Sequence, residues 1–373
     1  MLLINYTKKV KLIFAFILLF VFAFFFIFLN LPANPPDENI NLALKSLSEA
    51  KKSRAQLYAN EYFHASEKLY KNAMLQWKIQ NEKFILNRNY FMVELCSQFS
   101  THLAIEAKKT ADIRSRDLKD YLQVAIKEMN SELNDFGNFF NKLPVSASIR
   151  KEFSHAILFL SESEIAYNKH EYTISRKKLD EASDSYSIAY EYTNSILSDY
   201  FENYDRWLGQ AEKIIHKSKK NKSFVVIIDK FSHQCTLYYK GKIKKSYKVE
   251  LGRNWIGDKI RSGDKATPEG EYKITDKKTG SGTKYHKALL INYPSSEDQK
   301  RFAANMKKGL IEKTDKIGGS IEIHGGGGKG VDWTDGCVAM TNSEVDHFYR
   351  LVPVGTAVLI VGSLKTLDNY YNF

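Results

Sequence analysis

The sequence predicts an α+β, multi-domain chain: an N-terminal transmembrane helix, an all-α helical-hairpin region and a mostly-β C-terminal domain. Three observations predict it. Residues 12–29 are unbroken in apolar side chains and follow Lys8, Lys9 and Lys11. From 37 to about 220 there is one proline, Pro144, and two glycines, Gly137 and Gly209, while apolar residues recur every three or four positions. Beyond the basic stretch 217–222 the apolar period drops to two. A length of 373 residues suits two or three domains at ~150 residues each.

Composition narrows the class. Hydrophobic residues make up 43% and aromatics 13%, enough for real cores, so wholesale disorder is excluded. A net charge of +12 suits nucleic acid, an anionic membrane or a wall polymer alike. The three cysteines, Cys96, Cys235 and Cys337, form no CxxC pair. Neither a disulfide framework nor a structural zinc site is therefore expected.

Taken in order, the apolar run comes first. At ~1.5 Å per residue it gives ~27 Å of helix, about one hydrocarbon core. The leading lysines put the N-terminus in the cytoplasm and the remainder outside, as a single-pass membrane protein. Leu31-Pro32-Ala33 is a poor cleavage site, which favours a retained anchor over a signal peptide. An extracytoplasmic bulk, on the periplasmic or cell-wall side, demotes nucleic acid as a partner. Residues 32–37, with Pro32, Pro35 and Pro36, read as a short stiff linker.

Breaks near Asn60, Asn89, Leu143-Pro144 and Lys169 divide the helical region into about five helices joined as hairpins. This region is read as a spacer from the membrane or a docking site for an envelope protein. Strands are expected at 224–228, 236–239, 246–249, 270–275, 288–292, 320–323 and 357–361, with a hairpin turn at Gly241. Two helices, 296–306 and 343–351, interrupt them. The expected boundaries are 1–31 for the basic stub and anchor, 32–220 for the helical region, 221–364 for the β-rich domain and 365–373 for a tail.

The chemistry concentrates in Ile321-Glu-Ile-His324-Gly-Gly-Gly-Gly-Lys-Gly-Val-Asp-Trp333-Thr334-Asp335-Gly336-Cys337. A histidine at a strand end, a run of small residues and a cysteine after glycine suggest a nucleophile and its base. A thiol of pKa ~8.5 is only a few per cent thiolate at neutral pH and needs a nearby imidazole. The amides of Gly336 and Cys337 are candidates to hold an oxyanion. A phosphate-binding loop is excluded, because Lys329 is followed by Gly330 rather than Ser or Thr. His324, Asp335, Cys337 and His347 lack metal-ligand spacing, so no metal or cofactor is implied. Spacing alone leaves open a flexible loop beside an inert thiol.

The stretch resembles the active-site signature of the L,D-transpeptidase catalytic domain (YkuD) family: His-Gly, a short loop, then [ST]-x-Gly-Cys. Residues 225–229, Thr236-Leu-Tyr-Tyr-x-Gly241, Val249-Glu-Leu-Gly252 and Thr267-Pro268-Glu269-Gly270 resemble its opening strands and its Thr-Pro-x-Gly element. The likeness covers about 222–364. Asp335 stands where the common form has histidine, which is similar to a YafK-like subgroup.

The resemblance implies a cysteine-dependent L,D-transpeptidase acting on peptidoglycan stem peptides in cell-wall biogenesis. Cys337 is the implied nucleophile and His324 its general base and acid. Gly336, Gly325, Thr334 and Asp335 are the expected oxyanion and support residues. Arg253, Trp255, Tyr285 and Trp333 are expected substrate contacts. The alternatives are an L,D-carboxypeptidase or crosslink-cleaving hydrolase of the same family, or an inactive wall-binding protein.

Overall fold

A computed structural model describes residues 2–29 and 34–371, with side chains from 10–26 and from 34 onward. Positions 30–33, which include Pro32 of the expected linker, lie outside the described residues, as do the side chains of Lys8 and Lys9. The first helix, α1 (Leu2–Leu29), covers the apolar run. Among the described residues, however, no helix is long and apolar enough to cross a membrane. This overturns the expected transmembrane helix and the single-pass anchoring built on it.

Seven further helices precede the first strand in the described residues: α2 (Asp37–Lys52), α3 (Ala55–Tyr58), α4 (Asn60–Asn81), α5 (Phe91–Phe140), α6 (Ala147–Asn168), α7 (Tyr172–Phe201) and α8 (Tyr204–Asn221). Pro144 sits in the gap between α5 and α6, where its ring cannot continue a helix. Two breaks fall outside those expected from the sequence. One is at Arg54, which takes a left-handed φ of 55°, and the other lies between α7 and α8.

Two compact units divide the chain, Met1–Glu128 with Ser161–Leu179 and Met129–Leu160 with Asp180–Phe373. In the first, Leu47, Tyr58 and Phe63 pack among Ala50, Ala55, Ala59, Ala104, Ala107 and Ala111. Alanines let the backbones approach closely, and a buried serine pair between α4 and α5 is mutual. Ser66 Oγ donates to Ser100 O at 2.7 Å, and Ser100 Oγ donates to Ser66 O at 2.9 Å. Both buried hydroxyls are thereby satisfied.

The second unit holds an eight-stranded sheet in the order β3-β2-β1-β8-β4-β5-β6-β7. Its strands are β1 (Phe224–Asp229), β2 (Gln234–Tyr239), β3 (Lys242–Lys248), β4 (Gly270–Thr279), β5 (Lys287–Ile291), β6 (Glu322–His324), β7 (Val338–Ala339) and β8 (Ala357–Val361). Central β1 is apolar on both faces, as a strand covered on both sides requires. At the edge, β3 exposes a row of lysines that discourages pairing with another chain. Lys240 and Gly241, at φ 54° and 74°, form the two-residue turn that matches the twist of β2 and β3.

Helices α9 (Ser296–Lys307) and α10 (Asn342–Leu351) both open with capping boxes, Ser295 with Asp298 and Thr341 with Glu344. In α8, Trp207, Ala211, Ile214 and Ser218 line one buried stripe at helical spacing. Phe136 and Phe140 of α5 pack on Phe153 of α6, and Phe136 also meets Tyr186 and Tyr190 of α7.

Candidate active site

Strand β6 ends at His324 and pairs antiparallel with β5 and parallel with β7. The short strand β7, which the sequence pattern does not announce, explains how Cys337 comes to share a sheet face with the histidine. In the parallel register Ile323 faces Val338 and His324 faces Ala339, so the next step back sets Cys337 beside Glu322. With a side-chain period of two, Cys337, Glu322 and His324 emerge on the same face. Met340 N donates to His324 O at 2.9 Å, and Gly325 N donates to Lys287 O at 3.0 Å, fixing both sides of the strand end.

Two glycines make this approach possible. Gly336 has φ +128°, and a Cβ there would lie 2.6 Å from Ala266 O. A Cβ on Gly325 would lie 2.7 Å from Asn342 Oδ1 and 3.0 Å from Val345 Cγ1. Gly336→Ala is expected to cost about 2–3 kcal/mol, because the strained φ and the backbone clash cannot both relax. Urea denaturation of the variant checks this, and wild-type stability would refute the packing argument.

His324 is fully buried. Its Nδ1 lies 2.7 Å from Gly325 O, and since a carbonyl only accepts, Nδ1 carries the proton. That leaves Nε2 as the basic nitrogen, buried and without a hydrogen-bond partner. Burial pushes the His324 pKa below the ordinary imidazole value. Tyr285 stacks on the ring, with centroids 3.5 Å apart and planes 7° from parallel, and Trp333 meets it edge-on at 5.8 Å. The imidazole is thus held in one plane and one tautomer.

Cys337 is half-buried, and its Sγ lies 3.7 Å from Ser320 O. Burial pushes the thiol pKa up, and the neighbouring Glu322 amide offsets part of the rise. Lys284 favours the thiolate while Asp335 opposes it. Histidine and thiol are therefore both neutral at neutral pH in the resting site.

Thr334 is buried, with Oγ1 donating to Cys337 O at 2.7 Å and accepting from Gly336 N at 3.2 Å. It ties the turn from both sides. The Gly336 amide is thereby engaged within the turn. Asp335 is exposed beside it. Arg253 is an exposed loop residue that grips Trp333 O through Nε at 3.2 Å.

Trp255 stands apart from this group. It is buried and packs edge-on against Phe231 at 5.2 Å and His233 at 5.0 Å, as part of the core. Several contributors lack any sequence signal. Glu250 receives both Trp333 Nε1 and Gly330 N at 2.7 Å, and Asn342 Oδ1 receives Gly326 N at 2.8 Å. Lys329 caps the Trp333 ring at 3.3 Å from its centroid. Among the described residues, no three His, Cys, Asp or Glu side chains are grouped to hold a metal ion.

Residues 223–360 match the L,D-transpeptidase catalytic domain (YkuD). The chain is 29% identical to YafK of Escherichia coli K12 over 129 residues, which is 34% of this chain and 44% of YafK. It is 29% identical to YqjB of Bacillus subtilis 168 over 145 residues, 38% of this chain and 74% of YqjB. Both relatives are L,D-transpeptidases by name, and this chain spans less than half the length of YafK. Among solved structures, Bd1075 of Bdellovibrio bacteriovorus is 20% identical, with a TM-score of 0.29 over 39% of this chain and 51% of that one. Residues 223–360 belong to the L,D-transpeptidase catalytic domain (YkuD) family.

Proposed function

We propose that this domain is a cysteine L,D-transpeptidase of peptidoglycan stem peptides, acting through a thioester on Cys337. The observation that carries this reading is the buried, unpartnered Nε2 of His324, on the same sheet face as Cys337. A buried basic nitrogen without a partner is costly unless something enters to use it.

In this mechanism Nε2 takes the thiol proton as Sγ attacks the carbonyl carbon of the third stem residue. The Cys337 amide faces the resulting oxyanion, since Thr334 already engages the Gly336 amide. The imidazolium returns its proton to the nitrogen of the departing D-alanine, leaving the thioester. An amine of a second stem then attacks, gives its proton to Nε2, and the thiol reforms as the new peptide bond closes. Water in place of the amine yields an L,D-carboxypeptidase. Tyr285 and Trp333 hold the imidazole, and Arg253 steadies the Trp333 loop. Action on a wall polymer places the domain outside the cytoplasm.

The test is the product of the full chain with tetrapeptide muropeptides, read by mass spectrometry. Crosslinked dimers lacking one D-alanine are expected. Tripeptide alone would assign the carboxypeptidase, and unchanged substrate would remove the reading.

The pKa directions give a pH prediction. Nε2 must be neutral to accept the proton, and burial holds its pKa below the ordinary value of 6.5, so acylation should persist at pH 6.5 and fall only on the acid side of it. The thiol lies above its ordinary 9.0, so alkylation of free Cys337 by iodoacetamide should still be rising at pH 9. A rate plateau between pH 5 and 8 would instead reveal a preformed thiolate–imidazolium pair and contradict the neutral resting site.

A further inference from the structure

We propose that helices α7 and α8 belong to the acyl-transfer machinery, with Glu269 as a positioning residue that transmits their support to the Gly336–Cys337 turn. The proposal rests on Cys337 being the acylated nucleophile. Its starting point is Lys230, a lysine with 0% exposure. All three ammonium protons are used: Nζ donates to Gly257 O at 2.6 Å, Thr267 O at 2.9 Å and Glu269 Oε1 at 2.9 Å. Glu269 is equally saturated. Its Oε1 also receives Tyr200 Oη at 2.7 Å, and its Oε2 receives Trp207 Nε1 at 3.1 Å. Its main-chain N donates to Asp258 Oδ1 at 2.7 Å, and its main-chain O accepts from Arg301 Nη2 at 3.1 Å.

Tyr200 closes α7 and Trp207 opens α8, so two helices outside the family-matched segment supply two of the donors to one buried carboxylate. The helices are seated without slack, because a Cβ on Gly362 would lie 2.2 Å from the Trp207 ring. A buried ion pair seldom adds net stability, since desolvation of both charges offsets their attraction. What this one does is tie down both ends of the loop 257–267. The far end of that loop backs the catalytic turn. Ala266 O occupies the space where a Gly336 Cβ would stand, and Thr267 Oγ1 accepts from Gly252 N at 2.9 Å. Gly252 in turn bridges Thr334. Three contacts therefore separate the carboxylate from the turn that carries the Cys337 amide: Glu269 to Lys230, Lys230 to Thr267, and Ala266 to Gly336. Acyl transfer is sensitive to misplacement of about 1 Å at such a point.

Two reactions of the same thiol distinguish positioning from plain stability. Acylation by a carbapenem passes through a tetrahedral oxyanion, whereas alkylation by iodoacetamide displaces iodide at saturated carbon and needs no oxyanion support. Both rates are measured on the full chain by mass shift at Cys337, for wild type, Glu269→Gln and the milder Tyr200→Phe, which keeps the ring and removes one hydrogen bond. We expect acylation to slow at least ~10-fold in Glu269→Gln and several-fold in Tyr200→Phe, with alkylation within about twofold of wild type. Unchanged acylation in a folded Tyr200→Phe, or a parallel fall of both rates, would overturn the proposal. Wild type that alkylates but does not acylate would instead remove the nucleophile reading on which it rests.

Discussion

Cys337→Ala is expected to lower turnover of tetrapeptide stems by at least ~10⁴-fold while leaving the fold in place. The first half follows from chemistry: without sulfur no covalent intermediate forms, and water must attack a peptide carbonyl directly. The second half follows from the surroundings of the side chain. The thiol makes one long contact to Ser320 O at 3.7 Å and is half-buried, so its loss should cost only about 1 kcal/mol. Thermal unfolding and kcat/KM measured on the same preparation separate the two. A variant that keeps its melting temperature and also its activity would refute the assignment of the nucleophile.

The second large effect is expected at His324. Replacing it with glutamine should slow Cys337 acylation by roughly 10²–10⁴-fold, the range that a positioned base contributes. Nε2 has no partner in the resting site, so the change breaks no hydrogen bond at that atom. What is lost locally is the bond from Nδ1 to Gly325 O and the stack on Tyr285. Alkylation by iodoacetamide at pH 9 should be nearly unaffected, because solvent hydroxide can then remove the thiol proton. If His324→Gln slowed alkylation at pH 9 as much as acylation, the histidine would be holding the thiol in place rather than serving as its base.

Much of the catalytic domain was legible because its strands are continuous apolar runs bounded by turn residues, as in Phe224–Asp229 and Ala357–Val361. The candidate-site stretch was legible because histidine, glycine and cysteine occur there in a rare order. Strand β7 was not, since Val338–Ala339 is too short to carry a period and exists only through its pairing with β6. Arg54 was equally silent, because a left-handed turn without glycine is imposed by its surroundings.

The apolar run at the N-terminus shows the limit of hydropathy alone. Its lysine-flanked pattern suggested a membrane span, but no described helix is long and apolar enough to make one. Trp255 shows a second limit. An aromatic beside Arg253 in a loop looks like a substrate contact, and only the fold shows it turned inward onto Phe231 and His233. The bonds from Tyr200 and Trp207 to Glu269 join residues more than 60 positions apart, which no local pattern can encode.

The central claim is a thioester on Cys337, and it can be observed directly. The full chain is quenched in acid during turnover with tetrapeptide muropeptides, and the intact protein is weighed. The expected result is an added mass equal to the donor stem less one D-alanine, mapped to the peptide containing Cys337 and released by hydroxylamine at neutral pH. Turnover with Cys337 unmodified, or an adduct on any other residue, would contradict the account.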